Sequence, residues 1–374
     1  MAVFNKKFLC IVGFLPLLAC EAGTVRLFNG ETHSGKLAMA SNGLAVTEGQ
    51  SIATYDLDQI LFASFGDTAP SGAGSFPAGA LLTNGSFVAG PVLAFADPTV
   101  KCGTQEHPVS IPRDSIAAVA FANTHHATMD QLPVGKTGAV LPNGDFFEAV
   151  FNGIKDNAAM FNSPIFGPHS LVIKTQISAV VLRSVQPGTA RYEIDAKDGS
   201  RYLSSDIKIQ SDGVLVNDSI LGPVQVGNAD LVSFSASSGR YKFLTDLKPL
   251  ATTGATSGTN ATPTVSTTSE GQNEKMLTTR ANVAVSYAIP SGLTAFSCGL
   301  ALPKEAPPAS LVTFAVYCDG RLVARSNQIG AATAPQSIQV NLGTGQKLTL
   351  RVEPATPGSD GVVGEWIEPI LVHP

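Results

Sequence analysis

Apolar and polar positions alternate along most of this chain in short runs, which are separated by Gly, Pro, Asn and Asp. Runs of Val, Ile, Thr and Phe bounded by such turn residues predict β-strands. After the N-terminal segment, no long window shows sustained helical periodicity. The sequence therefore predicts a nearly all-β protein, and its length fits two or three domains.

The strand pattern repeats four times, and each copy opens on a Gly-centred turn between two apolar runs. The turns are Leu27-Phe28-Asn29-Gly30, Leu82-Thr83-Asn84-Gly85, Leu141-Pro142-Asn143-Gly144 and Ala196-Lys197-Asp198-Gly199. Asn-Gly and Asp-Gly supply the positive φ angles of a two-residue hairpin turn, so each copy is predicted to begin as a hairpin. The closing apolar runs begin at Ile60, Ile116, Ile177 and Leu231.

Each repeat predicts five short, bent strands, the strand content of a small barrel of the SH3 or Sm type. We place the repeats at residues 24–66, 77–122, 136–184 and 190–245. One such unit buries little apolar area, so we expect neighbouring units to pack on each other. The units resemble repeats that end in an "I..I.F"-like strand in exported proteins of Planctomycetes and Verrucomicrobia, a resemblance that implies no known activity.

The N-terminal segment is typical of a signal peptide over residues 1–22. Two lysines precede an apolar run from Phe8 to Ala19, which is short for a transmembrane helix. The run ends in a sequence that resembles a bacterial lipobox, in which Cys20 would become the lipidated first residue. Cleavage after Ala22 is the alternative. Both interpretations predict an exported protein, in the periplasm or at the outer membrane or cell surface, with or without a lipid tether.

Composition changes abruptly at residues 250–275, where Thr, Ser, Gly, Ala and Asn dominate. Such a stretch buries too little apolar surface to offset the entropy of ordering it, and it predicts a flexible linker. The linker would separate the repeats from an independent module at residues 276–374.

Six segments of this module follow the order and spacing of a known domain family. They are Ala284 to Ile289, Phe296 to Leu300, Val312 to Gly320, Arg321 to Ser326, the pair Ser337 to Leu342 and Lys347 to Val352, and Glu365 to Leu371. In these segments the module resembles the NPCBM-type carbohydrate-binding domain. The resemblance implies a galactose-binding-like, jelly-roll β-sandwich. The sequence departs from the pattern at residues 362–364, where the family often carries an acidic residue for which nearby Asp360 could substitute.

The resemblance implies binding of a sugar or another envelope polymer. From their loop positions, the candidate ligand contacts are Arg325, Asn327, Gln328, Asp360 and Glu365. Arginine and carboxylate side chains can bind sugar hydroxyls through paired hydrogen bonds.

Trp366, the single tryptophan, is the candidate stacking platform for a sugar ring. Its position inside the last predicted strand also fits an anchor of the core, so both interpretations stay open.

The cysteines suggest one pair. Cys298 and Cys318 flank a turn-rich segment, so antiparallel pairing of their strands would place them opposite each other as a disulfide. Two buried free thiols are the alternative. Cys102 has no evident partner and is expected in the core.

Charge and motifs exclude several classes of function. The formal net charge of −5 argues against nucleic acid as a partner. His107, His125, His126 and Asp130 have the composition of a metal site, but adjacent side chains of a strand point to opposite faces. We therefore predict no metal and no cofactor. No nucleophile elbow, phosphate-binding loop or zinc-protease helix motif occurs, so the sequence predicts no enzyme.

The sequence thus predicts an exported, non-catalytic binding protein. Its sandwich would bind a carbohydrate, and its repeats would act as a spacer or scaffold. The alternatives are an envelope assembly protein with a degenerate sandwich and an accessory subunit of a glycan-degrading system. The oligomeric state is left open.

Overall fold

The protein is all-β in its computed structural model, as the sequence predicts. The structure describes residues 22–40, 43–66, 75–95, 98–106, 108–121, 124–125, 135–186, 188–210, 212–237, 239–254, 264–267 and 275–373. An array of four units precedes a two-sheet sandwich. Cys20, His107, His126 and Asp130 lie outside the described residues.

The strands of the array fall into four groups. Unit 1 contains β1 (Ala22–Leu27), β2 (Thr32–Ala40), β3 (Gly43–Glu48), β4 (Ser51–Asp56) and β5 (Ile60–Phe65), and β6 (Ser75–Phe76) follows it. Unit 2 contains β7 (Gly79–Leu82), β8 (Phe87–Ala89), β9 (Val92–Phe95), β10 (Thr99–Gly103), β11 (Pro108–Pro112) and β12 (Ile116–Ala120), and β13 (Thr124–His125) follows it. Unit 3 contains β14 (Gly138–Val140), β15 (Phe146–Glu148), β16 (Val150–Lys155), β17 (Ala158–Ser163), β18 (Gly167–Val172) and β19 (Ala179–Val181). Unit 4 contains β20 (Tyr192–Ala196), β21 (Arg201–Gln210), β22 (Gly213–Asp218), β23 (Gly222–Gly227) and β24 (Leu231–Ala236). Short 3-10 helices cover Leu57–Gln59, Arg113–Ser115 and Leu244–Asp246.

The units share one pairing plan. The first strand lies between the last strand and the second, the second pairs with the third, and the third pairs with the fourth. In units 2 and 3 the second strand is interrupted, so that β8 and β9, and likewise β15 and β16, belong to different sheets. Each unit is thus an antiparallel meander whose first strand also pairs with the last.

The Gly-centred turns form the hairpins that the sequence predicts, but with a different geometry. In unit 2, Gly85 N donates to Leu82 O and Leu82 N donates to Ser86 O, and the other three turns repeat both hydrogen bonds. Only the glycine has a positive φ, which is 95° at Gly85. The loops are therefore three-residue turns that end in a glycine bulge, rather than the two-residue turns we expected. The Asn or Asp side chain before each glycine accepts a backbone N–H instead of adopting a left-handed conformation.

Each apolar core is shared between two units. Units 1 and 4 contribute to one buried cluster, which includes Leu37, Ile60, Ile194 and Phe234. Units 2 and 3 contribute to another. The last strands of units 1 and 4, β5 and β24, pair with each other. The last strands of units 2 and 3, β12 and β19, do the same. The units therefore follow the order 3, 2, 4, 1 along one large sheet.

The C-terminal region is a β-sandwich. Its strands are β25 (Tyr241–Phe243), β26 (Ala251–Thr253), β27 (Thr264–Thr267), β28 (Lys275–Arg280), β29 (Ala284–Ala288), β30 (Ala295–Ala301), β31 (Leu311–Cys318), β32 (Arg321–Arg325), β33 (Ile329–Gly330), β34 (Gln336–Asn341), β35 (Lys347–Pro354) and β36 (Val363–Val372). The first sheet has the order β27-β28-β36-β30-β34, with β25 also on β36. The second has the order β26-β29-β35-β31-β32, with β33 beside β31. A single buried cluster lies between them.

The segment expected to be a flexible linker contributes strands to both sheets. Residues 251–253 pair with β29, and residues 264–267 pair with β28. Thr-rich sequence suits such strands because Thr is enriched in β-structure.

The sandwich is also docked on the array. Strand β25, directly after unit 4, pairs with the C-terminal half of β36. Arg26 of unit 1 forms an ion pair with Glu368 of β36, and Phe28 packs in a small buried cluster with Ile370. Arg240 lies buried over the ring of Phe28 at 5.3 Å from its centroid. These contacts fix one end of the sandwich to units 1 and 4.

The turn geometry gives a stability prediction. Gly85→Ala should lower the free energy of unfolding by about 1–2 kcal/mol, because a Cβ is strained at its positive φ. Gly188→Ala is the matched control, since Gly188 has open space around it and no positive φ. Urea unfolding of the full chain measures both, and equal midpoints for the two variants would contradict the assignment.

Candidate functional site

Trp366 belongs to the core of the sandwich. Its side chain has 0% exposure and its ring meets Phe314 edge-on, with 4.9 Å between centroids. Its Nε1 donates to Thr279 Oγ1 at 2.9 Å. In the first half of β36 the alternation points Gly364 and Trp366 inward and Glu365 outward, so the stacking-platform interpretation is wrong.

The predicted disulfide is absent. Cys298 and Cys318 are buried free thiols. Cys298 lies on β30 in the first sheet and Cys318 on β31 in the second, so their strands are not paired neighbours as we expected. Burial raises the pKa of both thiols. Cys102 is a buried core residue, as expected, and burial raises its pKa to about 11.

Four of the predicted ligand contacts lie near one end of the sandwich, which we call the distal end. It consists of the loops 281–283, 302–310, 326–335 and 355–362, which join the strand ends remote from the β25–β36 junction. Asn327 and Gln328 are exposed after β32. Asp360 is exposed and accepts a hydrogen bond from Asn282 Nδ2 at 3.0 Å.

Glu365 lies on the outer side of the first sheet, next to the distal end. Burial, and then the nearby charge of Glu305, raise the pKa of its carboxyl above the usual range. Its strand neighbours are Thr278 and Ala301. Glu365 is therefore separated from the second sheet by the thickness of the sandwich.

Arg325 belongs to a group of polar side chains on the outer side of the second sheet. This polar face consists of Ser286, Tyr317, Arg325, Thr349, Arg351 and Glu353. Register explains the grouping, because Ala315 of β31 lies between Arg325 of β32 and Arg351 of β35.

Glu353 is the centre of the polar face. Its Oε2 lies 2.8 Å from Arg325 Nη2, and its Oε1 lies 4.0 Å from Arg351 Nη1. Tyr317 Oη donates to the same Oε1 at 3.1 Å. Ser286 and Thr349 share a hydrogen bond of 2.8 Å on the same face. Donors and acceptors are thus held side by side at a surface that solvent reaches.

One donor on this face has no partner. Arg351 Nε is shielded from solvent and makes no hydrogen bond within the described part of the chain. The guanidinium also presents its remaining N–H groups in a fixed planar fork. A ligand with adjacent oxygen atoms could accept from the N–H groups of this half-exposed side chain that solvent reaches.

Sequence reasoning missed Tyr317, Arg351 and Glu353, although a signal was present. Residues 313–317 and 347–352 alternate as half-buried strands do, and this alternation assigns odd-numbered residues of both strands to one outer face. Charged and hydroxyl side chains at those outer positions mark the polar face.

The described residues hold no group of three or more His, Cys, Asp or Glu side chains arranged to bind a metal ion. Among the same residues, no helix has the length and apolar character needed to cross a membrane.

Comparison with known families assigns the sandwich. Residues 268–372 match the family model of the NPCBM/NEW2 domain. The C-terminal module is an NPCBM-type domain. The match covers the described strands β28–β36 and leaves the array outside it.

Several solved structures are similar to parts of the chain. One is CBM51 from Clostridium perfringens GH95 in complex with methyl-galactose, with 16% identity, 35% of this chain and 99% of that chain covered, and a TM-score of 0.30. A second is the tandem CBM51 modules of the family 98 glycoside hydrolase from Streptococcus pneumoniae SP3-BS71, with 12% identity, 79% and 88% covered, and a TM-score of 0.32. A third is the CBM51-2 and INT domains from Clostridium perfringens ZmpB, with 17% identity, 49% and 40% covered, and a TM-score of 0.30. This chain therefore spans less than half of that ZmpB structure. No curated protein matches the chain.

Replacement of the buried tryptophan should test its role in the core of the NPCBM-type domain. Trp366→Phe should lower the free energy of unfolding by about 2 kcal/mol or more, because it leaves a cavity and removes the hydrogen bond to Thr279. Thr279→Ser is the control, since it keeps the acceptor oxygen. Thermal unfolding of the full chain measures both, and an unchanged midpoint for Trp366→Phe would rule out a core role.

The raised pKa of Glu365 predicts a pH-dependent stability. A carboxyl whose folded pKa lies above the unfolded value contributes stability in acid, which is lost as the pH rises through the folded pKa. Glu365→Gln should therefore unfold at a higher temperature than the parent at neutral pH, and this advantage should vanish in acid. Glu305→Gln, which removes only the secondary cause, should give a smaller gain. Melting temperatures across the pH range provide the measurement, and a destabilised Glu365→Gln at neutral pH would refute it.

Proposed function

We propose that this chain is an exported, non-catalytic protein of the bacterial cell envelope whose NPCBM-type domain binds a carbohydrate. The array serves as the scaffold on which the domain is mounted. The single observation that carries the proposal is the polar face, where Arg325, Arg351 and Tyr317 surround Glu353 on an exposed sheet of a domain with this family assignment.

The chemistry of the polar face suits a sugar. A sugar hydroxyl donates one hydrogen bond and accepts others, so it is best bound where donors and acceptors stand together. Glu353 accepts, the two guanidinium groups donate, and the hydroxyls of Ser286 and Thr349 can do either. The half-buried ring of Tyr317 adds an apolar surface beside these groups.

The distal end extends the same surface. Arg325 is the last residue of β32, so Asn327 and Gln328 follow it directly where the strand leaves the sheet. Amide side chains there would reach a second residue of a longer glycan. Asp360 joins the same group of loops from the β35–β36 connection.

The position of the domain supports a scaffold role for the array. The array contacts the C-terminal half of β36 and reaches along β30 as far as Gly299, whereas the polar face lies on the second sheet and the distal loops begin beyond the other end of β36. A ligand at the polar face or the distal end therefore meets no obstruction from the β25–β36 junction.

For cellular location, we propose export through the N-terminal segment, with Cys20 as the lipid attachment site. The lipobox-like run before Cys20 supports the tether, and cleavage after Ala22 is the alternative. Incorporation of labelled palmitate into the full chain, compared with Cys20→Ala, separates the two.

Variants of the polar face test the binding proposal. The full chain is first screened on a panel of soluble envelope and plant polysaccharides by affinity electrophoresis. Against a retained polysaccharide, Arg325→Ala and Glu353→Gln should each weaken binding by about tenfold or more, because hydrogen bonds to charged groups are lost. The matched control is Arg321→Ala, which removes the same charge from the other end of β32.

Two results would overturn the proposal. One is failure of the full chain to retain any polysaccharide of the panel. The other is equal retention by Arg325→Ala, Glu353→Gln and the parent. Shortening of the polysaccharide during incubation would instead contradict the non-catalytic role.

A further inference from the structure

The junction between units 2 and 4 is a local two-fold arrangement of second strands. Strand β8 pairs with β21 at Phe87 and Arg201. Ser86 Oγ accepts from Leu203 N at 2.9 Å, and Ser200 Oγ accepts from Ala89 N at 3.0 Å. Ser86 and Ser200 hold the same place after their Gly turns, so each unit gives the other the same hydrogen bond.

Unit 4 adds an apolar turn to this junction. Asp218, at the end of β22, accepts from Ile220 N and Leu221 N at 2.7 and 2.9 Å. It also accepts from Ser86 Oγ at 2.5 Å, across the junction. The turn thus held packs Ile220 and Leu221 against the core cluster of units 2 and 3.

Unit 3 has the same turn in an exposed state. Ser163, at the end of β17, takes the place of Asp218 and accepts from Ile165 N and Phe166 N at 3.3 and 3.4 Å. The side chains that follow it are apolar and exposed, with Ile165 at 82% and Phe166 at 63%. The ring of Phe166 stacks on Phe147, with 6.3 Å between centroids.

The second-strand edge of unit 3 is also open. Within the described residues, β15 is the terminal strand of the large sheet and pairs only with β14. The equivalent turn of unit 1 faces the sandwich, because a methyl group added at Gly30 would lie 3.7 Å from Gly299 N. Within the described residues, the edges of units 2 and 4 therefore cover each other and the turn of unit 1 faces the sandwich, whereas β15 of unit 3 has no strand on its outer side.

We propose that this edge is an interface with a second copy of the same chain. The unit-3 edge is defined by Asp145, Phe146, Ser163, Ile165 and Phe166. Two copies would meet there around a two-fold axis, in the arrangement that units 2 and 4 adopt within one chain. The large sheet then continues from one copy into the other through paired β15 strands.

The polar groups of the unit-3 edge are compatible with this self-pairing. Asp145 stands at the place of Ser86 and Ser200, where an acceptor receives a backbone N–H from the facing strand. The facing position that Asp218 occupies in unit 4 is Ser163 in unit 3, so Asp145 meets a hydroxyl position rather than a second carboxylate. Glu148, at the place of Ala89, is already paired with Lys136 at 2.5 Å. The apolar turn and the strand edge that receives it are both present on one surface, and this favours a second copy over an unrelated partner.

Sedimentation velocity of the full chain over a wide concentration range tests the proposal. The parent should sediment as a dimer, and the double variant Ile165→Ser with Phe166→Ser should sediment as a monomer. The control is Ile52→Ser, which removes an apolar side chain of 58% exposure from unit 1 and should leave the dimer intact. A parent that stays monomeric overturns the proposal, and so does a double variant that stays dimeric.

A cysteine at the two-fold axis tests the register. Phe146 holds the place of Phe87 and Arg201, which face each other in the internal junction. Phe146→Cys should therefore form a cross-linked dimer on mild oxidation, since directly opposed strand residues lie within reach of a disulfide. Leu322→Cys, at an exposed position on the sandwich, should not. Equal cross-linking of both variants, or none at position 146, overturns the pairing. Neither test depends on carbohydrate binding.

Discussion

The architecture of this protein depends on a shortage of apolar area in each small unit. A five-stranded unit of this size cannot enclose a core that offsets the entropy of ordering its backbone. Units 1 and 4 therefore complete one core together, and units 2 and 3 complete another. Pairing of the last strands follows from this sharing, because two open sheets that face one core bring their edges together. The serine-mediated β8–β21 junction then joins the pair of units 1 and 4 to the pair of units 2 and 3 in a single sheet.

The attachment of the sandwich to the array also depends on the pairing of units 1 and 4. Unit 1 and unit 4 are adjacent in space, so Arg26 and Phe28 of one and Arg240 after the other can meet the same region of β36. Ile370 and its neighbours cover part of the apolar surface of units 1 and 4. The outer side of the second sheet, with the Glu353-centred polar face, stays exposed.

Local features of the fold were predictable from the sequence, and non-local ones were not. The Gly85 turn and its equivalents depend on a few consecutive residues, so the hairpins could be located, although the glycine bulge could not be distinguished from a two-residue turn. The coupling of unit 1 with unit 4 depends on residues far apart in the chain, and nothing local to Ile60 or Phe234 indicates it. The disulfide prediction was wrong for a similar reason, since spacing alone does not tell whether the strands of Cys298 and Cys318 share a sheet. The two interpretations of Trp366 stayed open because strand parity was not used, and parity in β35 would also have revealed Arg351 and Glu353.

The 3, 2, 4, 1 order of the units has a consequence for the time course of folding. Unit 1 is the first to be synthesised, yet half of its core arrives only with residues 192–234. Unit 1 therefore cannot fold as an independent domain while the rest of the chain is still being synthesised. Its final structure must wait for a long loop to close, and contacts of such sequence separation slow folding. In this chain the N-terminal unit is therefore among the last to become native, and a chain that stops after unit 3 would leave its first strands without the surface they require.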